Sequence, residues 1–326
     1  MAINKALFVA LTLTMIGSLF LGQADISILS ALGTQTNDVM TADRLILWEI
    51  RLPRSVLAPL VGAALGLAGA AMQSLVRNPL ADPSLVGASQ GAALGAAIAF
   101  YFGMAPLNAS WMVPASAITG AILALVAVLF LSAGRRPGLF ILAGLAVASI
   151  GSALLAVTLN FAPNPFAMQE LILWLLGSVA NRPIEMSLLM LVGLLVGGAI
   201  IFWKRHFLQA LTLGDEVAQT LGHDPVTNTR WVLIACAILV GVSVAVAGAV
   251  SFVGLIIPHL LRRFVGSEPR RLLLPSMMGG ALLVAISDVV IRTVPYAYDF
   301  KLGVITALIG APFFVWIVLR ERNRWL

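Results

Sequence analysis

The chain has 326 residues, 60% of them apolar and only 10% charged, with a mean hydropathy of +1.01, and this composition excludes a soluble globular domain in favour of a polytopic helical membrane protein. The net charge of +6 and pI of 10.2 do not mark a nucleic-acid partner, because the basic residues are dispersed at the ends of apolar runs, where they orient a chain in a bilayer. A single cysteine, Cys236, lies inside an apolar run and leaves neither a disulfide framework nor a metal cluster.

A spanning helix takes about 20 mostly apolar residues. Runs that meet or approach this length are 5–22, 54–76, 86–103, 111–133, 139–161, 186–203, 231–249, 251–268, 272–291 and 302–320, ten in all. The first, after Lys5, also fits a secretory signal peptide cleaved near Ala24, a reading that would leave nine spans. Arg51 and Arg54 flank Leu52-Pro53 at the start of the second run. At its end, Arg77-Asn78-Pro79-Leu80-Ala81-Asp82-Pro83 is a rigid, proline-bracketed turn that ends one helix and caps the next.

Within 162–185 the apolar stretch 166–176 is too short to cross and is bounded by Pro163, Pro165 and Pro183, so an interfacial or re-entrant helix on the outer side is expected. Residues 204–230, from Lys204-Arg205-His206 to Arg230, form a long polar island. In it Asp215 and Glu216 place negative charge in the first turn of a short helix, Val217, Ala218 and Leu221 give that helix an apolar face, and Gly222 with His223-Asp224-Pro225 ends it. By composition alone the island reads as a solvated loop or as a docking surface. Further on, Pro258 removes a backbone donor while Arg262 and Arg263 must lie near the inner surface, which predicts a short or broken helix over 251–268. Asp288 and Arg292, four residues apart, meet on one helix face.

With the N-terminus inside, fourteen of the 20 lysines and arginines fall on the inner side, as the positive-inside bias requires. The halves repeat: Leu60-Val61-Gly62 and Ala68-Gly69-Ala70 recur as Leu239-Val240-Gly241 and Ala247-Gly248-Ala249 at an offset of 179. The copies begin on opposite sides of the membrane, so the pattern predicts an inverted repeat of the kind transporters use. Glycines at helical spacing, such as Gly62, Gly66 and Gly69, read as close-packing faces.

Enzymatic chemistry fails on inventory. His206, His223 and His259 are not paired within spans, and there is no phosphate loop and no nucleophile triad. Active transport by this chain therefore requires a separate motor. An ion-coupled secondary transporter, the alternative, would need ionisable groups near the midplane, for which Asp288 is the candidate, although it lies near a helix end.

Five ordered motifs resemble the FecCD-type permeases, the membrane subunits of ABC importers for iron-siderophores, haem and cobalamin. They are Arg51-Leu52-Pro53-Arg54; Asn78-Pro79-Leu80-Ala81-Asp82-Pro83; Leu213-Gly214 with Ala218 and Leu221-Gly222; Ser251-Phe252-Val253-Gly254-Leu255-Ile256-Ile257-Pro258-His259 with Arg262; and Gly303-Val304-Ile305-Thr306-Ala307 with Gly310-Ala311-Pro312-Phe313. The resemblance runs through nearly the whole chain. It implies an all-α, polytopic integral membrane protein of about ten spans with the type II ABC importer permease fold. Residues 1–326 would be one permease domain, with 204–230 a cytoplasmic coupling segment within it. It further implies the bacterial inner membrane with both termini cytoplasmic, a homodimer or a pair with a similar permease, two cytoplasmic ATPase subunits that hold ATP and Mg, and a periplasmic binding protein. No cofactor on this chain and no nucleic acid is implied.

By the same resemblance Leu213, Gly214, Asp215, Glu216, Ala218, Leu221 and Gly222 couple to the ATPase. Asn78, Pro79 and Leu80 match one cytoplasmic gate, Pro137 and Gly138 fall where a second lies, and Arg51, Arg54 and Arg292 resemble arginines that receive binding-protein carboxylates. Pathway walls in the fifth and tenth runs, including Ala146, Ser149, Ser152 and Ala307, are small and suit a bulky chelate, with iron-siderophore ahead of haem and cobalamin by family frequency. Two departures touch the outer rim and the second gate: Asp299-Phe300-Lys301-Leu302 where the family often has Glu-Leu-Pro, and Arg136-Pro137-Gly138 in place of small hydroxyl residues.

Overall fold

A computed structural model describes residues 2–22, 24, 26, 42–101, 111–132, 137–293 and 300–325; among these there are helices and no strand. In chain order the helices are α1 (Ala2–Phe20), α2 (Ala42–Val76), α3 (Ala88–Tyr101), α4 (Met112–Ser132), α5 (Pro137–Asn160), α6 (Pro165–Leu175), α7 (Ile184–Trp203), α8 (Arg205–Leu211), α9 (Asp215–Thr220), α10 (Pro225–Ala247), α11 (Val253–Val265), α12 (Pro269–Thr293) and α13 (Leu302–Trp325). Eight of them are long and apolar enough to cross a membrane: α1, α2, α4, α5, α7, α10, α12 and α13.

The other two expected spans are the short helices α3 and α11, of 14 and 13 residues. At 1.5 Å per residue each reaches about 20 Å, less than a hydrocarbon core of about 30 Å. The count of about ten is thus met by eight full spans and two partial ones, and the reason is local. After α2 the chain reverses at Arg77 in the left-handed region (φ 55°), runs without helix to Asp82, and takes a 3-10 turn, Pro83–Val86. Asp82 caps that turn by accepting from Ser84 N at 2.8 Å. After α10 the backbone is again non-helical over 248–252 and turns at Phe252 (φ 66°) before α11. Such unwound backbone is tolerated at membrane depth only where protein covers it.

Both halves therefore follow one succession: a long helix, a break, a short helix, then two long ones. The offset of 179 joins α2 to α10, and the packing is reciprocal, α2 against α12 and α10 against α4. Small residues set these contacts. A Cβ on Gly62 would stand 2.1 Å from Gly280 O, and one on Gly69 would stand 1.9 Å from Gly254 O, so α2 meets α12 and α11 at backbone distance. Helices α2 and α10 form the buried centre, whereas α1, α5 and α13 leave most of their apolar surface uncovered.

The short helix expected within 162–185 is α6, whose first turn is capped by Asn164 Oδ1 accepting from Ala167 N at 2.8 Å. Leu171 and Trp174 are buried beneath it. Its end is tied by backbone to two other helices, with Ser178 N donating to Ala247 O at 2.7 Å and Leu302 N to Gly177 O at 2.9 Å. The second span differs from expectation at its start. It begins at Ala42 rather than 54, through a π-helical turn, Ile46–Arg51, that widens the helix where Arg51 must turn inward.

Candidate coupling, gating and docking sites

The polar island folds into two short helices on one apolar seat. Phe207, Leu208 and Leu211 of α8 and Ala218 of α9 are buried. Leu213, Val217 and Leu221, spaced four apart, point outward with 68%, 38% and 59% of their surface exposed. The apolar face expected of Val217, Ala218 and Leu221 is therefore divided: Ala218 holds the helix to the protein, and the larger residues face away from it. Gly214 and Gly222 bracket α9 at φ 113° and 85°, values that disfavour any side chain, although a Cβ at either would meet nothing within 4 Å. These glycines set the angle of α9; they do not make room for a neighbour.

Asp215 pairs with Arg77 at 3.2 Å, which joins the island to the end of α2. Glu216 is exposed. Lys204 lies 3.5 Å from the ring centre of Trp203, where α7 leaves the apolar layer. Asp224 caps α10 by accepting from Val226 N and Thr227 N, both at 3.2 Å. The Thr227 hydroxyl bonded to it holds the Asp224 carboxyl below its ordinary value.

In the turn after α2, Asn78 Oδ1 accepts from Leu80 N at 2.9 Å and Asn78 O from Ala81 N at 3.1 Å, so Asn78 builds the turn itself. Asn78 and Pro79 are exposed and Leu80 is half-buried. Gly138, in the first turn of α5, is exposed, and a Cβ there would meet nothing within 4 Å, so it stands clear of the 78–80 turn within one chain. The side chain of Pro137 and the residues Arg136 and Asp299 lie outside the described residues. Along α5, Ala146, Ser149 and Ser152 are exposed, and on α13 Ala307 is half-buried, so these four lie on the two helices the chain leaves most open apart from α1.

Arg51 and Arg292 are only 3% and 8% exposed, and with Arg54 they are engaged within the chain. Arg54 Nε meets Asp288 Oδ1 at 2.6 Å, and Arg292 Nη2 meets Asp288 Oδ2 at 2.5 Å, which confirms the shared helix face of Asp288 and Arg292. Arg51 Nη1 donates to Leu19 O and Phe20 O at 2.9 Å each, and Arg292 Nη1 to Ser18 O at 3.0 Å. Ser18 Oγ reaches Ser55 Oγ at 2.6 Å. The last turn of any helix leaves carbonyls without intrahelical donors, and here guanidinium groups from α2 and α12 supply them to α1. The three arginines are thus engaged inside the chain, Arg54 and Arg292 on Asp288 and Arg51 on carbonyls at the end of α1.

The sequence reading missed Gln73. It is 1% exposed, its Nε2 donates to Leu255 O at 3.1 Å and to Gly254 O at 3.3 Å, and its Oε1 accepts from Arg262 Nη2 at 3.1 Å. The available signal was a lone amide in an apolar run one turn before Arg77.

Three comparisons bear on this arrangement. The model of the FecCD transport family matches residues 10–320. The hemin transport system permease protein HmuU of Yersinia pestis is 35% identical over 98% of this chain and 95% of its own length. The vitamin B12 import system permease protein BtuC of Klebsiella pneumoniae is 38% identical over 86% of this chain and 84% of its own length. A solved structure described as an inward-facing conformation of a metal-chelate type ABC transporter superposes with a TM-score of 0.87 at 30% identity, covering 98% of this chain and 99% of that one.

Proposed function

This chain belongs to the FecCD transport family, and we propose that it lines the translocation pathway of an ATP-binding-cassette importer whose cargo is a bulky metal chelate. It is a multi-span membrane permease, and ATP hydrolysis is assigned to a separate subunit that holds ATP and Mg. The observation that carries this reading is the exposure of Leu213, Val217 and Leu221, which lie before, on and at the end of the short helix α9, set among polar residues and joined to α2 by Asp215–Arg77. A solvated loop would not expose three large apolar side chains within nine residues. They fit the apolar groove of an ATPase subunit, one on each of two permease chains, with the partner permease a second copy or a similar chain.

The outer cluster of Arg51, Arg54 and Arg292 is proposed to receive carboxylates of a periplasmic binding protein once the internal contacts yield. Localisation in the inner membrane is proposed from the family, and the charge bias supports placing both termini on the cytoplasmic side. The gates at 78–80 and 137–138 close across the pair of permeases rather than within one chain. The ion-coupled alternative loses its candidate residue, because Asp288 is held between Arg54 and Arg292.

Relatives of similar identity are named for hemin and for vitamin B12, and the similar structure for a metal chelate. Cargo is thus chosen outside the features these chains share, which suits a small-residue pathway fed by a binding protein; iron-siderophore is proposed first, then haem, then cobalamin. Reconstitution with the ATPase subunits and binding protein in proteoliposomes tests the assignment. ATP-dependent uptake of a ferric siderophore, haem or cobalamin is expected, while uptake driven by an ion gradient without ATPase subunits would replace this reading with the alternative.

A further inference from the structure

The hydrogen bonds of Gln73 answer a deficit created by the sequence of α11. In an α-helix the carbonyl of residue 254 accepts from the N–H of residue 258, but that residue is Pro258, which has none. Gly254 O is left without its intrahelical donor inside an apolar layer, where an unmet carbonyl is costly. Gln73 Nε2, from the neighbouring helix α2, supplies a donor to it at 3.3 Å and a second bond to Leu255 O at 3.1 Å. The approach is possible because Gly69, one turn earlier on α2, has no side chain to hold Gly254 away. One turn beyond the proline, Arg262 Nη2 closes the arrangement onto Gln73 Oε1 at 3.1 Å.

Both ends of this junction lead onward. Gln73 stands four residues before Arg77, whose guanidinium pairs with Asp215 at the start of the coupling helix α9. On the other side, α11 packs on the pathway helix α13, where Phe252 abuts Gly310 and the rings of His259 and Phe313 lie 6.1 Å apart edge to face. A continuous set of contacts therefore runs from Asp215 through the end of α2 and Gln73 to the proline-bearing helix α11 and on to α13.

We propose that Gln73 is a positioning residue for coupling: by replacing the donor that Pro258 lacks, it makes α11 and the wall of α13 follow the end of α2 when the ATPase moves α9. The inference rests on the importer reading, which the wild-type complex tests by itself. A merely structural amide would only keep Gly254 O satisfied, and a donor restored within α11 would then make it dispensable.

The experiment uses Gln73→Met, which keeps the length and removes the polar atoms, and Gln73→Met with Pro258→Ala, which returns an N–H to residue 258. Each is assembled with its ATPase subunits and binding protein in proteoliposomes, and cargo uptake is divided by ATP hydrolysed. The expected result is that Gln73→Met lowers assembled yield, Pro258→Ala restores the yield, and uptake per ATP stays down by about tenfold in the double variant while hydrolysis continues. Uptake per ATP at the wild-type ratio in either variant would overturn the proposal. Absence of ATP-driven uptake in the wild-type complex would instead count against the importer reading.

Discussion

At the scale of single residues, the charged groups of this protein divide by what they can reach. Asp224 sits outside the apolar layer and is bonded by Thr227 and two backbone N–H groups. Its folded carboxyl lies below the ordinary value of 3.8, so its contribution is present above that pH and fades as pH falls through the lower folded value. Asp224→Ala is expected to cost about 1 kcal/mol and Asp224→Asn much less, since the amide oxygen still caps; thermal unfolding in detergent at neutral pH checks both. Arg51 and Arg292 act first on the fold, holding the final carbonyls of α1, while Arg54 is more accessible at 16% side-chain exposure. Arg54→Gln, which removes the charge but keeps a donor for Asp288, should weaken binding-protein association and reduce its salt dependence with assembly retained. Reversing Arg292 should instead lower folded yield, because it puts a carboxylate beside buried Asp288. Equal yields and unchanged affinity for the two variants would remove the distinction.

At the scale of elements, helix length and helix breaks carry the function. The two short helices exist because proline and left-handed turns interrupt the chain, and Asn78 and Pro79 in the first break stay exposed. Helix α9 is six residues long, too short to be stable alone, and is held by buried Ala218 and the Asp215–Arg77 pair. Replacing Leu213 and Leu221 by Asp should reduce ATPase association by at least about tenfold without altering yield, as measured by co-purification. Gly214→Val should leave more of the complex assembled but lower uptake per ATP, because φ 113° is unfavourable for a branched residue and α9 must reorient.

At the scale of the whole molecule, α5 and α13 are the long helices left most open apart from α1. Helices α5 and α13 carry exposed apolar and small residues along faces that the remaining helices do not cover. If these faces meet a second permease around the pathway, Ser149→Cys or Ser152→Cys in membranes should give disulfide-linked dimers under mild oxidation. Cys236 is fully buried and should not cross-link in the parent chain. Failure of both variants to cross-link, with the complex otherwise assembled, would move the dimer face elsewhere.

Much of this protein was legible from its residues. Hydropathy located every helix that crosses or partly crosses, because a bilayer forces apolar runs of set length. Pro258 foretold the short helix α11, the prolines around 162–185 foretold α6, and the glycine and acidic pattern of the island foretold α9. Spacing of four residues placed Asp288 beside Arg292. Tertiary structure decided which way side chains turn: that Ala218 faces in and Leu221 out, that Arg51, Arg54 and Arg292 close on α1 and Asp288, and that Gln73 meets the carbonyl Pro258 leaves open. The division has one physical cause. Length, breaks and caps depend on residues adjacent in sequence, whereas the partner of a buried polar group comes from a helix 181 or 234 residues away, and no local pattern encodes that distance.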